Sequence, residues 1–287
     1  MAIWEAVLLG IVQGLTEFLP ISSTAHLLVV RTLLGHQNSG DAFTTVIQLG
    51  TLVAVFTYFW NDVWRLAKGM FADVCAFRIG STPDARMAWL IVIGTLPVVV
   101  IGLLLKKWLK ETFYNPTSIA WVSIVFALLL ALAEWWTHTR SKREEHAITW
   151  LGALWVGSWQ ALALMPGGSR SGTTITGGLF AGLARPTAAR FSFLLSLPAV
   201  LGAGVKELYD EYKKWKNPEP GEPPSLFNSG DDITALLVGT LVSAVVGYFA
   251  IAWLLHFLKR YSTVAFIVYR LAFGALLLSL IASGFLR

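Results

Sequence analysis

The chain has 287 residues, of which 55% are hydrophobic and only 14% charged, with a mean hydropathy of +0.63. A soluble domain carries about 25% charge, so the composition argues against a soluble enzyme and for an integral helical membrane protein. The formal charge of +5 lies in short loops between apolar runs, where an anionic leaflet accounts for it and nucleic acid is not needed.

The first predicted elements, 3–18 and 22–34, are short and polar for a membrane and are divided by Pro20-Ile21-Ser22-Ser23. Three long apolar spans follow, at 42–62, 86–106 and 116–137, each near the about 20 residues that cross a bilayer. A second short pair, 150–165 and 170–183, is divided by Pro166-Gly167-Gly168-Ser169. Spans at 188–209, 232–256 and 262–284 complete the chain, and the Pro-rich 210–231 segment reads as a solvated spacer. Half-helices persist at membrane depth only when protein buries them or they line a wet cavity.

"GIVQGLTEFLPISST" aligns with "GSWQALALMPGGSRS" when one residue is dropped, matching Gly10 to Gly157, Gln13 to Gln160 and Pro20 to Pro166. Three spans per half would invert the second half relative to the first. The expected fold is therefore all-α. It is a single membrane domain, 1–287, with six transmembrane helices and two re-entrant pairs in inverted repeats, 1–137 and 150–287.

Tryptophans at 60, 64, 89, 108, 135 and 136 fall near span ends, as in an aromatic belt. Cys75 is the only cysteine and can form no internal disulfide. No cleaved signal peptide is read at the N-terminus. Arg65, Lys68, Arg78, Arg140, Lys142, Arg143, Lys259 and Arg260 share one side and outnumber Lys106, Lys107 and Lys110 opposite. The first set is expected to be cytoplasmic, with both termini and the first broken pair entering from outside.

Gln13 and Glu17 are four apart and face the same way on a helix; a carboxylate there is costly and points to function. Ser23 and His26 share a face just beyond Pro20. Ser22 has a simpler role open to it, as an N-cap, and His26 could merely satisfy a carbonyl. The other histidines, His36, His138, His146 and His256, fall at span ends or loops. In "PGGSRSGTT", Gly167 and Gly168 permit a tight turn, while Ser169, Ser171, Thr173 and Thr174 offer hydroxyls. Arg170 adds a planar fork of donors, and a helix N-terminus follows; together these describe a phosphate cradle. A helix-packing turn with Arg170 reaching to headgroups is the plainer alternative. No "GK[ST]" follows the glycines, so ATP is not implied.

"QGLTEFLPISSTAH", Gln13 to His26, and "PGGSRSGTT", Pro166 to Thr174, resemble in order the two signature segments of the undecaprenyl-pyrophosphate phosphatase family of the bacitracin-resistance type. The resemblance spans essentially the whole chain. It implies removal of the terminal phosphate from undecaprenyl pyrophosphate or other prenyl pyrophosphates. The implied location is the bacterial cytoplasmic membrane, with the site on the outer side. It also implies a divalent cation, Mg2+ or Ca2+, and allows a homodimer. Carried over by position, Glu17, Ser23, His26 and Arg170 are catalytic, and Glu17 with Gln13 holds the metal. Gln13, Gly168, Ser169, Arg170, Ser171 and Thr174 bind substrate. The resemblance leaves Ser23, His26 and water open as nucleophile; Ser23 is preferred, with Glu17 as base or metal ligand and His26 protonating the leaving group. A transporter or flippase of lipid-linked phosphates is the rival, since broken helices at the midplane also build transporters.

Overall fold

The computed structural model describes residues 1–35, 42–138, 148–218 and 225–286. These form eleven α-helices and, among the described residues, no strand. In chain order they are α1 (Ile3–Phe18), α2 (Ser23–Leu33), α3 (Ala42–Tyr58), α4 (Trp60–Cys75), α5 (Pro83–Phe113), α6 (Pro116–His138), α7 (Trp150–Leu162), α8 (Arg170–Phe180), α9 (Arg185–Lys216), α10 (Gly230–Arg260) and α11 (Val264–Ala282).

Among the described residues five helices are long and apolar enough to cross a membrane, or up to six if α3 and α4 count as one bent span. That bent pair corrects the sequence reading. The expected 42–62 span stops at Tyr58, and α4 leaves at 81°. The reason is composition: α4, "WNDVWRLAKGMFADVC", is charged on one side and apolar on the other, so it suits an interface better than a bilayer core. The span expected at 188–209 is likewise longer. α9 runs to Lys216, and buried Glu211 ties it to the following segment by accepting from the Leu226 amide at 2.9 Å. The spacer thus begins only after the helix; its residues 219–224 lie outside the described residues, as do His36, Arg140, Lys142, Arg143 and His146.

Local chemistry sets the helix starts. Thr82, Thr149 and Ser229 accept from the amides of Ala85, Gly152 and Asp232 and so cap α5, α7 and α10. α1 stops at Phe18 because Pro20 offers no N–H to continue it and forces Leu19 into an extended conformation.

The halves pack crosswise. α1 lies chiefly along α10, and α7 chiefly along α5. At both crossings the sequence supplies glycine against glycine. A Cβ on Gly10 would collide with the Gly239 carbonyl, and one on Gly157 with the Gly94 carbonyl. The sequence-matched glycines therefore do the same work, letting two backbones meet. The main core is built from α3, α5, α8, α9 and α10 with the end of α1, and Phe18, Phe191 and Phe193 are completely buried in it. A buried ion pair fixes one end of the bundle: Arg185 donates to Glu134, whose second oxygen accepts from the Thr263 hydroxyl at 2.6 Å.

Of the tryptophans expected near span ends, Trp60, Trp64, Trp108 and Trp135 are each more than half exposed. Trp89 instead donates its indole N–H to Asp73 at 3.2 Å.

Candidate active site

Four helices converge on one carboxylate. Glu17, 5% exposed near the end of α1, accepts four hydrogen bonds. Oε2 receives Gln13 Nε2 and Ser23 Oγ, each at 3.0 Å. Oε1 receives Gln48 Nε2 from α3 at 3.0 Å and Arg170 from α8 at 2.9 Å. Residues separated by 153 positions thus form a buried ion pair. The two broken pairs do meet.

Arg170 is the informative member. It reaches Glu17 through Nη2 only; Nε and Nη1 are buried with no hydrogen-bond partner among the described residues. Each orphaned buried donor costs about 1–3 kcal/mol, and buried polar groups are otherwise nearly always paired. The Ser22 hydroxyl is buried and unpartnered as well. Unsatisfied donors beside a carboxylate already saturated with hydrogen bonds call for an additional anion.

The breaks are held rigidly around this point. Arg270 on α11 is completely buried. Its Nη2 donates to the carbonyls of Gly167 at 3.0 Å and Gly168 at 3.2 Å, and its Nη1 makes a weak 3.5 Å bond to the Pro20 carbonyl. The Ser171 hydroxyl donates to the Leu19 carbonyl at 2.9 Å, a second bond from one break to the other. Gly167 sits at φ 94°, where a Cβ would strike the Ile119 carbonyl, so only glycine fits.

The remaining hydroxyls of "PGGSRSGTT" serve the turn. Ser169 accepts from the Gly172 amide at 3.1 Å and meets Ser171 at 3.2 Å. Thr173 and Thr174 donate to the Arg170 carbonyl at 3.0 and 2.7 Å, and Thr174 also meets Ser192 on α9 at 2.5 Å. The Gly168 amide donates to the Met165 carbonyl at 3.0 Å, within the turn. Of the substrate-binding set expected from sequence, Arg170 alone points unsatisfied donors into the site. Ser169, Ser171 and Thr174 shape the loop that carries it.

His26 stands on the neighbouring turn of α2. Its Nδ1 is 2.7 Å from the Ser22 carbonyl, which can only accept, so Nδ1 carries the hydrogen. In the neutral ring Nε2 is then the acceptor for the Tyr269 hydroxyl, 2.6 Å away. Phe273 stacks on the same imidazole at 4.1 Å between centroids. The carbonyl-satisfying role open to His26 is therefore real, and it fixes the tautomer. Ser22 occupies the N-cap position of α2, yet its side chain makes no capping bond.

Gln48, Arg270 and Tyr269 did not stand out in the sequence reading. Two of them left a signal: Gln48 and Arg270 lie inside spans that are otherwise apolar, where a polar or charged side chain is costly.

The cation expected on Glu17 and Gln13 does not fit the residues as arranged. Both Glu17 oxygens are filled by four donors, one of them a guanidinium, and Gln13 turns its amide N–H toward the acid. Among the described residues no group of three His, Cys, Asp or Glu side chains could hold a metal ion.

Fold and site together define a polytopic, all-helical membrane protein in which two helix breaks meet around a Glu17–Arg170 ion pair with unsatisfied guanidinium donors. The chain belongs to the family described as Bacitracin resistance protein BacA, whose model matches residues 6–276. It is 47% identical to a protein of Chlorobium phaeobacteroides (strain BS1) named undecaprenyl-diphosphatase, over all of both chains. A protein of Prosthecochloris aestuarii with the same name is 48% identical, over 99% of each chain.

Proposed function

We propose that the chain removes the terminal phosphate of undecaprenyl pyrophosphate, releasing undecaprenyl phosphate and inorganic phosphate. The single observation that carries this reading at the site is the pair of unsatisfied Arg170 donors beside Glu17 and Ser23. The terminal phosphate fills the orphaned position, and charge developing on its oxygens is met by a preorganised guanidinium in a dry site. The prenyl chain stays in lipid among the exposed apolar side chains.

The Ser23 hydroxyl attacks the terminal phosphorus and gives its proton to Glu17, to which it already donates. The bond from that phosphorus to the bridging oxygen breaks, and undecaprenyl phosphate leaves. Water then hydrolyses the phosphoserine, returning the serine and freeing inorganic phosphate. His26 supplies the proton to the leaving oxygen as the imidazolium, protonated at Nε2 with Tyr269 turned away, and returns to the neutral Nδ1–H form. Gln13 and Gln48 orient the carboxylate.

The topology proposed is six spans with α1–α2 and α7–α8 as re-entrant pairs entering from opposite sides, in inverted repeats 1–137 and 150–287. Crosswise packing and matched glycine crossings support it. So do the two helix-start serines, Ser22 and Ser169, which lie equally far from Gly10 and Gly157 and share an unusual backbone. Their register favours an alignment without the dropped residue. The cytoplasmic membrane, with the site reached from the outer side, is proposed from the loop charge.

The test is phosphate release from the detergent-purified chain given a prenyl pyrophosphate. Release is expected, and Glu17→Ala and Arg170→Ala should each reduce it by about 10²–10³-fold or more, the usual scale for losing a transition-state donor. Prenyl pyrophosphate bound intact, with no release across divalent metals, would favour a carrier instead.

A further inference from the structure

Away from Glu17, a cavity of about 490 Å³ opens between α4, the start of α5 and the start of α9. Three arginines line it: Arg65, Arg86 and Arg190. Asp62 and Asp84 are the acids in the lining. Asp62 Oδ1 accepts from Arg65 at 2.6 Å and is ion-paired with Arg190 at 2.8 Å, and so holds two guanidinium groups at one wall. Arg86 donates to the Ile148 carbonyl at 3.0 Å. A guanidinium has five N–H donors, and these bonds take one each from Arg65 and Arg86. Among the described lining residues three guanidinium groups face two carboxylates, a wall rich in donors for phosphate oxygens. Leu66, Leu90 and Leu194 give the same cavity an apolar portion.

The depth of the cavity is set by α4. This helix turns 81° from α3 and exposes Trp60, Trp64 and Phe71, while Phe77 just beyond it is 97% exposed. Lys68 lies over the Trp64 ring at 5.0 Å. Aromatic side chains with cations beside them are the mark of a helix lying in the headgroup layer. A soluble anion has no use for that flank, whereas acyl chains do.

We propose that this cavity binds the phosphate of an anionic phospholipid, with the arginines on the phosphodiester and the chains running along α4. The site is separate from the phosphatase centre. Arg190 packs over Phe59 at 5.6 Å, and Phe59, Phe193 and Phe18 are in ring contact in that order, so an apolar core lies between the cavity and Glu17.

Native mass spectrometry of the full chain tests this, with phosphatidylglycerol and phosphatidylcholine supplied in equal amounts. Wild type is expected to retain one phosphatidylglycerol about tenfold over phosphatidylcholine, and Arg65→Gln/Arg86→Gln to lose that preference, since a charge-assisted hydrogen bond is of this size. Arg65→Gln alone, at a side chain 59% exposed, leaves the fold intact and should lose part of it. Phosphate release in detergent should be unchanged in both variants, which separates this site from the catalytic one. Equal retention of the two lipids, or undiminished phosphatidylglycerol retention in the double variant, overturns the proposal. Displacement of the lipid by inorganic phosphate would also overturn it, in favour of a soluble-anion site.

Discussion

Ser22 and Ser169 begin the second helix of each broken pair with nearly the same backbone: φ 73°, ψ 99° and φ 65°, ψ 111°. Left-handed φ in a residue other than glycine costs about 1–3 kcal/mol and persists only where the surroundings enforce it. The two serines use that strain differently. Ser169 caps its helix through the Gly172 amide, whereas the Ser22 hydroxyl is buried and free of partners among the described residues. On the proposed function, the same geometry builds a scaffold in one half and presents chemistry in the other. Glu17, Ser23 and His26 all belong to the first pair, while the second contributes Arg170 and a loop that holds it still.

The largest break in this comparison should come from the group that both pairs share. Arg270 satisfies carbonyls from each, and Arg270→Met would leave Gly167, Gly168 and Pro20 without that donor in a buried place. At about 1–3 kcal/mol for each unpaired group, the thermal midpoint in detergent should fall sharply, and phosphate release should fall with it. Arg270→Lys offers donors at one point instead of a planar fork and should recover only part of both. Retained stability and activity in Arg270→Met would show that the breaks are held by other contacts.

The serines themselves give the next effect, and its two arms should diverge. Ser169→Ala removes a cap and should cost about 1 kcal/mol of stability. Ser22→Ala removes no bond, so stability should hold or rise slightly. Phosphate release should instead drop about tenfold, the worth of one hydrogen bond to a charged group. Thermal melts and phosphate release on both variants measure this directly. If both serines lose stability alike, the division between scaffold and chemistry fails.

Much of the fold was legible because the membrane imposes strong rules on sequence. Span length is a physical requirement of the bilayer, half-helices must be buried or line a cavity, and the breaks at Pro20 and Pro166 follow from proline's missing N–H. α4 was misread because hydropathy alone carries 42–62 past the bend, while the charges that turn the chain come just after it. The site was legible where motif residues carry charge, as at Glu17 and Arg170. It was not legible where a residue's use depends on partners far along the chain. Nothing local distinguishes the free hydroxyl of Ser22 from the capping one of Ser169, or says that Thr174 turns to Ser192. Arg270 could have been found, since a lone arginine in "VAFIVYRLAFGALLLSLIA" demands buried acceptors.

The smallest effect expected concerns how each pair is supported from outside. α7 leans on α5, and the start of α5 is tied to α4 by Asp73. That carboxylate accepts from the Ser81 hydroxyl, from the Gly80 amide at 2.5 Å and from the Ser81 amide at 3.3 Å, besides Trp89. The Ser81 hydroxyl above all, with the amides and the indole, holds the Asp73 carboxyl below the usual range against the opposing pull of burial. A depressed folded value means that the ionised form favours folding. The contribution is complete above the unfolded aspartate value of about 3.9 and is lost as pH falls through the lower folded value. Thermal midpoints taken from pH 5 downward should therefore fall for wild type more steeply than for Asp73→Asn, which has no charge to lose. Because α10 supports α1 independently of this turn, labelling of a cysteine introduced in α7 of a Cys75→Ser chain should respond to acid before labelling of one introduced in α1. A simultaneous response at both would mean that the two pairs loosen as one unit.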